Sequence, residues 1–362
     1  MRIGILGTRG IPNNHGGFEQ FAQHLAEFLV LQGHEVITYN SSSHPFKENS
    51  WKGVKLHHAF DPEAKIGTIG QFVYDFNCII NSRKQNFDII LQLGYTSSSI
   101  WGFLLPKKAM IVTNMDGLEW KRAKYNRLVQ QFLKFAERLA IWSSDQIVAD
   151  SIYIKEYLEN KYNKSVKYIA YGSDDFNAAN EKQLEKYALQ KHQYYVLIAR
   201  IEPENNIDTI LDGYLMSETK YPFIVVGKCE NSYSKFLKEK YKTQTSIKFI
   251  GGIYEDEVLN NLRYHAKYYF HGHSVGGTNP SLLEAMASNS SIVAHQNVFN
   301  QSILEDDALY FKTSSDVMKI LNENSSPLNK QMKENNLAKV KKYYNWEIIN
   351  KSYEDLFANL AH

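Results

Sequence analysis

The densest chemistry in this sequence lies at residues 271–286, His-Gly-His-Ser-Val-Gly-Gly-Thr-Asn-Pro-Ser-Leu-Leu-Glu-Ala-Met. Asn279 and Pro280 form a strong helix-start signal, an N-cap residue followed by proline at the first helical position. A helix leaves its first N–H groups without intrahelical partners and carries the positive end of its dipole there. With Gly276 and Gly277 just upstream, that end is open to an anion, and a diphosphate suits it. Glu284 lies just over one turn along, within reach of ribose or sugar hydroxyls. A solvated helix carboxylate is the plainer reading of Glu284, but its two neighbours are apolar. His273 and Thr278 fall in the same loop and join the residues expected to line that anion site, although a structural role is the more frequent outcome for any one histidine.

A second glycine loop, residues 7–19, runs Gly-Thr-Arg-Gly-Ile-Pro-Asn-Asn-His-Gly-Gly-Phe-Glu between the apolar run Arg2 to Leu6 and a helical pattern. Open parallel sheets bind ligands at such loops. Gly16 and Gly17 permit close backbone approach at the helix start, where N–H groups can hold an anion. The fingerprint of a redox dinucleotide fails on two counts. Gly4, Gly7 and Gly10 are spaced GxxGxxG, and the second apolar run ends at Tyr39-Asn40 where a ribose-binding acidic residue would stand. Gly227 ends a later run, beside Lys228, and marks either close approach to a nucleotide or a plain turn.

Such loops need strands to hold them. Short apolar runs alternate with helical patterns from Arg2 to Ala170, and a second series of the same kind runs from Tyr194 to Phe311. That alternation predicts two Rossmann-like, doubly wound α/β domains. The expected boundaries are 1–172 for the first domain, 173–192 for a polar linker and 193–345 for the second domain, with a last helix at 346–362 packing back on the first. A chain of 362 residues suits two cores.

Composition narrows the class further. With 43% hydrophobic and 22% charged residues the chain is globular, and a net charge of +2 gives no sign of a nucleic-acid partner. Cys78 and Cys229, the only cysteines, match no metal or disulfide spacing, which suits a reducing cytoplasm. No stretch approaches the roughly 20 apolar residues that span a bilayer. No DxD sequence occurs, so catalysis without a metal or other cofactor is expected.

The segment His271 to Met286 resembles the donor-site motif of the retaining family-four glycosyltransferases, which have the GT-B fold of two Rossmann-like domains facing across a cleft. Two glutamates eight positions apart hold the donor in that family; Glu284 matches the second, and Gly276 stands at the first. Together with Gly7 to Pro12, Gly16 to Glu19 and Asn114-Met115-Asp116-Gly117-Leu118-Glu119-Trp120-Lys121-Arg122, it resembles the branch of bacterial rhamnosyltransferases of surface-polysaccharide assembly. The resemblance implies a nucleoside-diphosphate sugar as co-substrate, a dTDP- or UDP-sugar, and a lipid-linked saccharide acceptor. Arg200 matches the family's phosphate-binding arginine, while Asn205 replaces its lysine, which leaves Arg9 and Lys228 as candidates for the second positive charge.

On the acceptor side the implied residues are His15, Phe18, Glu19, Asn114, Asp116 and Glu119. Asp116 is the carboxylate best placed to touch an acceptor hydroxyl, with Glu284 and Arg200 completing the expected catalytic set. In a retaining transfer of this type the leaving phosphate takes the acceptor's proton, so Asp116 orients more than it deprotonates. A helix-capping role before Gly117 is the alternative. The stretch Trp120 to Trp142, expected as one helix, carries Lys121, Arg122, Lys124, Arg127, Lys134 and Arg138 among aromatic residues, which suits an anionic membrane surface. A charged solvated face over an ordinary core stripe explains it equally well, and the lipid-linked acceptor that the resemblance implies favours a peripheral position on the inner face of the plasma membrane. A nucleotide-sugar 2-epimerase and a non-catalytic sugar-nucleotide-binding protein are the alternative readings.

Overall fold

Strands form in this chain where apolar runs are short enough to be covered on both faces, the habit of parallel sheets. The computed structural model describes all residues except His15, 123–124, 177, 324–327 and 362. Two units emerge, one of residues 1–172 with 346–362, the other of residues 173–345.

The first unit contains β1 (Arg2–Leu6), α1 (Gly17–Leu31), β2 (Glu35–Ser41), β3 (Ser50–Trp51), β4 (Val54–Ala59), α2 (Glu63–Ile66), α3 (Ile69–Ser82), β5 (Ile89–Leu93), β6 (Met110–Asn114), α4 (Arg127–Ser143), β7 (Gln146–Ala149), α5 (Ile152–Tyr162) and β8 (Val166–Tyr168). Its sheet has the order β3-β4-β2-β1-β5-β6-β7-β8. Every pairing is parallel except β3 with β4.

The second unit contains β9 (Tyr195–Ile198), α6 (Ile207–Met216), β10 (Phe223–Val226), α7 (Ser232–Lys240), β11 (Ile247–Gly251), α8 (Asp256–Tyr264), β12 (Tyr268–His271), α9 (Pro280–Ala287), β13 (Ile292–His295), α10 (Val298–Leu304), β14 (Leu309–Phe311), α11 (Ser314–Asn322) and α12 (Leu328–Lys339). Its sheet is parallel throughout in the order β11-β10-β9-β12-β13-β14. Tyr195, Leu197, Phe223, Val225 and Phe270 anchor its core. The segment 173–192, expected as a linker, lies within this unit, where the Asn180 N–H donates to Asn261 Oδ1 at 2.6 Å.

The last helix, α13 (Trp346–Ala361), belongs to the first unit. It buries Trp346, Ile349, Tyr353 and Phe357 at helical spacing. Trp346 stacks on His24 with ring centroids 4.3 Å apart, and Tyr353 meets Phe21 at 5.0 Å, both on α1 or its length.

One helix differs from expectation. The stretch Trp120 to Trp142 is broken: a 3-10 turn covers Glu119–Lys121, and α4 starts only at Arg127. The reason is local, because Asn126 caps the helix by accepting from the Val129 N–H at 3.0 Å.

In each sheet the strand order reverses direction beside the first strand of the unit, between β1 and β5 and between β9 and β12. Those two points are where open α/β sheets place their ligands.

Candidate active site

In the second unit, the loops that follow β9 and β12 emerge side by side at the reversal point and are stitched together by backbone contacts. The Glu204 carbonyl accepts from the Ser274 N–H at 3.0 Å and the Ser274 hydroxyl at 2.8 Å. Asn206 Nδ2 donates to the Gly272 carbonyl at 2.8 Å. A Cβ at Gly272 would stand 1.9 Å from the Asn205 carbonyl oxygen, so only glycine allows this approach. Asn297 and Asn300 then hold the His273 carbonyl from the other side, at 2.9 and 3.0 Å.

Asn205, at the position of the family lysine, has a different task. Its Nδ2 donates to the Arg200 carbonyl at 2.6 Å and closes the loop on which Arg200 stands. The Arg200 guanidinium is exposed and has no hydrogen-bond or ion-pair partner among the described residues, so it is free for an anion. Lys228 is also exposed, lying 5.4 Å from the Tyr254 ring centre, and its hydrogen bond with Tyr254 raises its pKa. Gly227 sits where a Cβ would come within 2.2 Å of the Ala199 carbonyl oxygen, so its glycine is required by the neighbouring strand end.

The start of α9 corrects the expectation of an open helix end. Asn279 Oδ1 accepts from the Ser281 N–H at 3.0 Å, and the Asn279 carbonyl takes the N–H groups of Leu282 and Leu283. The helix's own donors are thus spent. What remains for an anion is the dipole and the N–H groups of Gly276 and Gly277, which have no acceptor among the described residues. Gly276 has φ +137, and the space around it is empty where a side chain would start. Thr278 is buried just before the cap.

Glu284 is held by a residue that no local pattern announces. Arg263, on α8, is 2% exposed and donates through Nη2 to Glu284 Oε2 at 2.5 Å and to Ser281 Oγ at 3.2 Å. Its Nη1 donates to Asn260 Oδ1 at 2.9 Å, and its guanidinium lies 5.9 Å from the Tyr269 ring centre. Burial pushes the Glu284 carboxyl up, and Arg263 pulls it back. Nearby, burial pushes His271 far below the usual histidine range, so its ring is neutral; it stacks on His273 with centroids 4.5 Å apart. Arg263 and Glu284 stand 21 positions apart, too far for helix or strand periodicity to connect them.

In the first unit, the loop after β1 is organised by its own charges. Arg9 does not offer the free positive charge considered for it, because Nε and Nη2 both grip Glu63, at 3.0 and 2.7 Å. Burial opposes the charge on Arg9, but Glu63 outweighs it and the net shift is upward. Glu19 is buried and accepts from the Arg9 N–H at 2.8 Å. Gly16 is the N-cap of α1 with no side chain to cap it, and the Gly17 carbonyl accepts from the Tyr171 hydroxyl at 2.7 Å. Phe18 packs against Gly94 after β5. His15 lies outside the described residues.

Two of the remaining acceptor-side residues are likewise engaged within the fold. Asn114 is buried, donating to the Tyr353 hydroxyl at 2.9 Å and accepting from the Asp116 N–H at 2.9 Å. Glu119 pairs with Arg122 at 2.6 Å. Asp116 differs: it is half-buried, adopts φ +50, and its carboxylate has no hydrogen-bond or ion-pair partner among the described residues. Sequence patterns also give no notice of Asp75, a buried carboxyl on α3 that accepts from the Ser97 hydroxyl at 2.5 Å. Burial pushes it up to about 7, with Ser97 opposing.

Residues 177–342 match the family model described as glycosyl transferases group 1. That match covers nearly the whole of the second unit. Residues 1–174 match a model described only as a domain of unknown function, DUF1972. No curated protein matches the chain in sequence. Solved structures do. Sucrose-phosphate synthase from Thermosynechococcus elongatus superposes with a TM-score of 0.80 at 15% identity, covering 99% of this chain and 98% of that one. Anabaena HepE in complex with UDP-glucose gives 0.76 at 13%, covering 99% of each. A glycosyltransferase from Rickettsia africae gives 0.72 at 14%, covering 99% and 98%. The chain therefore has the GT-B fold expected from sequence.

Proposed function

We propose that this protein is a retaining glycosyltransferase that moves a hexose or deoxyhexose, best L-rhamnose from dTDP-rhamnose, onto a lipid-linked saccharide in cell-surface polysaccharide assembly. The observation that carries the reading is Glu284, fixed by Arg263 near the start of α9, with empty space at Gly276 and with the N–H groups of Gly276 and Gly277 lacking an acceptor among the described residues. Glu284 takes hydroxyls of the donor. Gly276 and Gly277 N–H groups, Arg200 and Lys228 take the diphosphate, whose charge grows as the sugar leaves. A 6-deoxy sugar presents one hydroxyl fewer, which is consistent with glycine at the position of the family's first glutamate. HepE, a protein of the same fold, has been seen with UDP and with UDP-glucose, which supports a nucleotide sugar as partner.

Asp116, whose carboxylate has no partner among the described residues, orients the acceptor hydroxyl, whose proton passes to the departing phosphate. The reaction needs no metal or cofactor in this reading. No helix among the described residues is long and apolar enough to cross a membrane, and a lipid-linked acceptor places the enzyme at the cytoplasmic face of the plasma membrane as a peripheral protein.

The test is incubation of the purified protein with a panel of nucleotide sugars, with and without a lipid-linked N-acetylglucosamine acceptor, following nucleoside diphosphate release and product mass. Acceptor-dependent release from dTDP-rhamnose with retained anomeric configuration is expected. Donor converted to its epimer without acceptor, or binding with neither transfer nor hydrolysis, would overturn the reading.

A further inference from the structure

On the first unit, α4 presents an apolar line to solvent. Leu128, Phe135 and Trp142 are 82%, 49% and 67% exposed. Spaced seven residues apart, they fall on one side of the helix, with the exposed Arg138 between the last two. At the same end of the helix Gly102 packs against Ser143, and the adjoining Phe103 is 76% exposed. Soluble proteins rarely leave such a row of large apolar side chains uncovered without a partner.

Beside this line is a cavity of about 590 Å³ lined by Gln131, Lys134, Phe135, Arg138, Lys161 and Tyr162. Lys161 is matched by Glu137, a buried carboxylate that takes its Nζ at 2.7 Å and also accepts from Trp120 Nε1 and the Tyr157 and Tyr162 hydroxyls. Lys134 and Arg138 have no carboxylate partner among the described residues. They lie instead against the rings of Trp120, at 4.7 Å, and Trp142, at 6.0 Å. With Lys161 neutralised, the cavity keeps the positive charges of Lys134 and Arg138 in surplus.

We propose that this face of α4 docks on an anionic bilayer, with Leu128, Phe135 and Trp142 entering the interface and the cavity holding the phosphate of one lipid headgroup between Lys134 and Arg138. A free anion would use the two cations and leave the apolar line unexplained. An apolar protein partner would bury the line but strand the cations. A bilayer with anionic lipid satisfies both, because a helix lying in the interface needs an apolar side and flanking cations. The proposal rests on the lipid-linked acceptor for its purpose and on α4 alone for its geometry.

The experiment is co-sedimentation of the full chain with vesicles of equimolar phosphatidylglycerol and phosphatidylcholine, and with phosphatidylcholine alone, at low and physiological salt. In parallel, transfer is measured to a short-chain, water-soluble version of the acceptor. Wild type is expected to bind only the anionic vesicles. Lys134→Glu with Arg138→Glu, and separately Phe135→Ser with Trp142→Ser, are expected to lower the bound fraction by about tenfold, with transfer to the short-chain acceptor unchanged. Binding lost in the charge variant but kept in the aromatic one, or abolished by inorganic phosphate at matched ionic strength, would mean an anion site and overturn the docking. Wild-type protein that transfers sugar yet ignores anionic vesicles also overturns it, whereas vesicle binding without transfer overturns the enzymatic reading alone.

Discussion

Arg263 Nη2 and Glu284 Oε2 stand 2.5 Å apart, joining α8 to the start of α9, and the arginine is almost entirely buried. Arg263 is a positioning residue: it sets the orientation and ionisation of the carboxylate proposed to meet the donor. Replacing it with methionine removes the charge that holds Glu284 down, so burial pushes the carboxyl further up. The acid limb of the kcat/KM–pH profile is expected to move to higher pH, and kcat/KM for the donor to fall by on the order of 10². Arg263→Lys should restore part of both. An unmoved pH profile in Arg263→Met would remove Arg263 from the site.

Asp116→Asn keeps the size of the side chain and removes its charge. If Asp116 orients the acceptor, transfer falls by about 10²-fold while the donor KM is unchanged. Steady-state kinetics with each substrate varied in turn checks this. Equal loss in donor affinity would place Asp116 elsewhere.

Gly272→Ala puts a Cβ against the Asn205 carbonyl oxygen. The loops after β9 and β12 must then separate, taking Arg200 and Gly276 with them. Nucleotide binding by calorimetry is expected to weaken at least about tenfold, since overpacking of this kind typically costs ~1–3 kcal/mol. Wild-type affinity would show that the close approach is dispensable.

Asp75 makes stability depend on pH. Its folded pKa, about 7, lies above the unfolded value near ~3.9, so the folded state binds more protons between the two. The contribution is full below the unfolded value and is lost as pH rises toward 7, with a slope of at most about 1.4 kcal/mol per pH unit. Denaturant unfolding from pH 4.5 to 7 should show this trend in wild type and a flatter one in Asp75→Asn. Parallel curves would exclude Asp75 as its source.

Chelation tests the expected metal independence. Turnover in excess EDTA should equal turnover without it, and strict dependence on Mg²⁺ or Mn²⁺ would sink the proposed diphosphate chemistry by Arg200, Lys228 and backbone N–H groups alone.

Much of the local structure around α9 was legible because its signals are local. Asn279 and Pro280 announce a helix start within two residues, and the cap forms as read. The alternation of apolar runs with helical patterns announces two parallel sheets, since a strand covered on both faces must be apolar throughout. The boundaries of α4 were not legible, because Asn126 competes as a cap inside a stretch whose apolar spacing runs through it.

The amino-acid sequence alone carried the two α/β sheets, the glycine loops at their strand ends and the placing of Glu284 on a capped helix, all encoded in spacings of a few residues. Only the tertiary structure decided which charges are available. Arg9 and Arg200 look alike in sequence, yet one is forked onto Glu63 and the other has no side-chain partner among the described residues. Asn114 and Asp116 are two residues apart, yet the first is tied to Tyr353, 239 positions away, and the second has no side-chain partner among the described residues. Arg263 likewise finds Glu284 only after β12 has brought α8 and α9 together. Ionic and hydrogen-bond partnerships act over a few ångströms of space, and sequence distance carries no record of that separation.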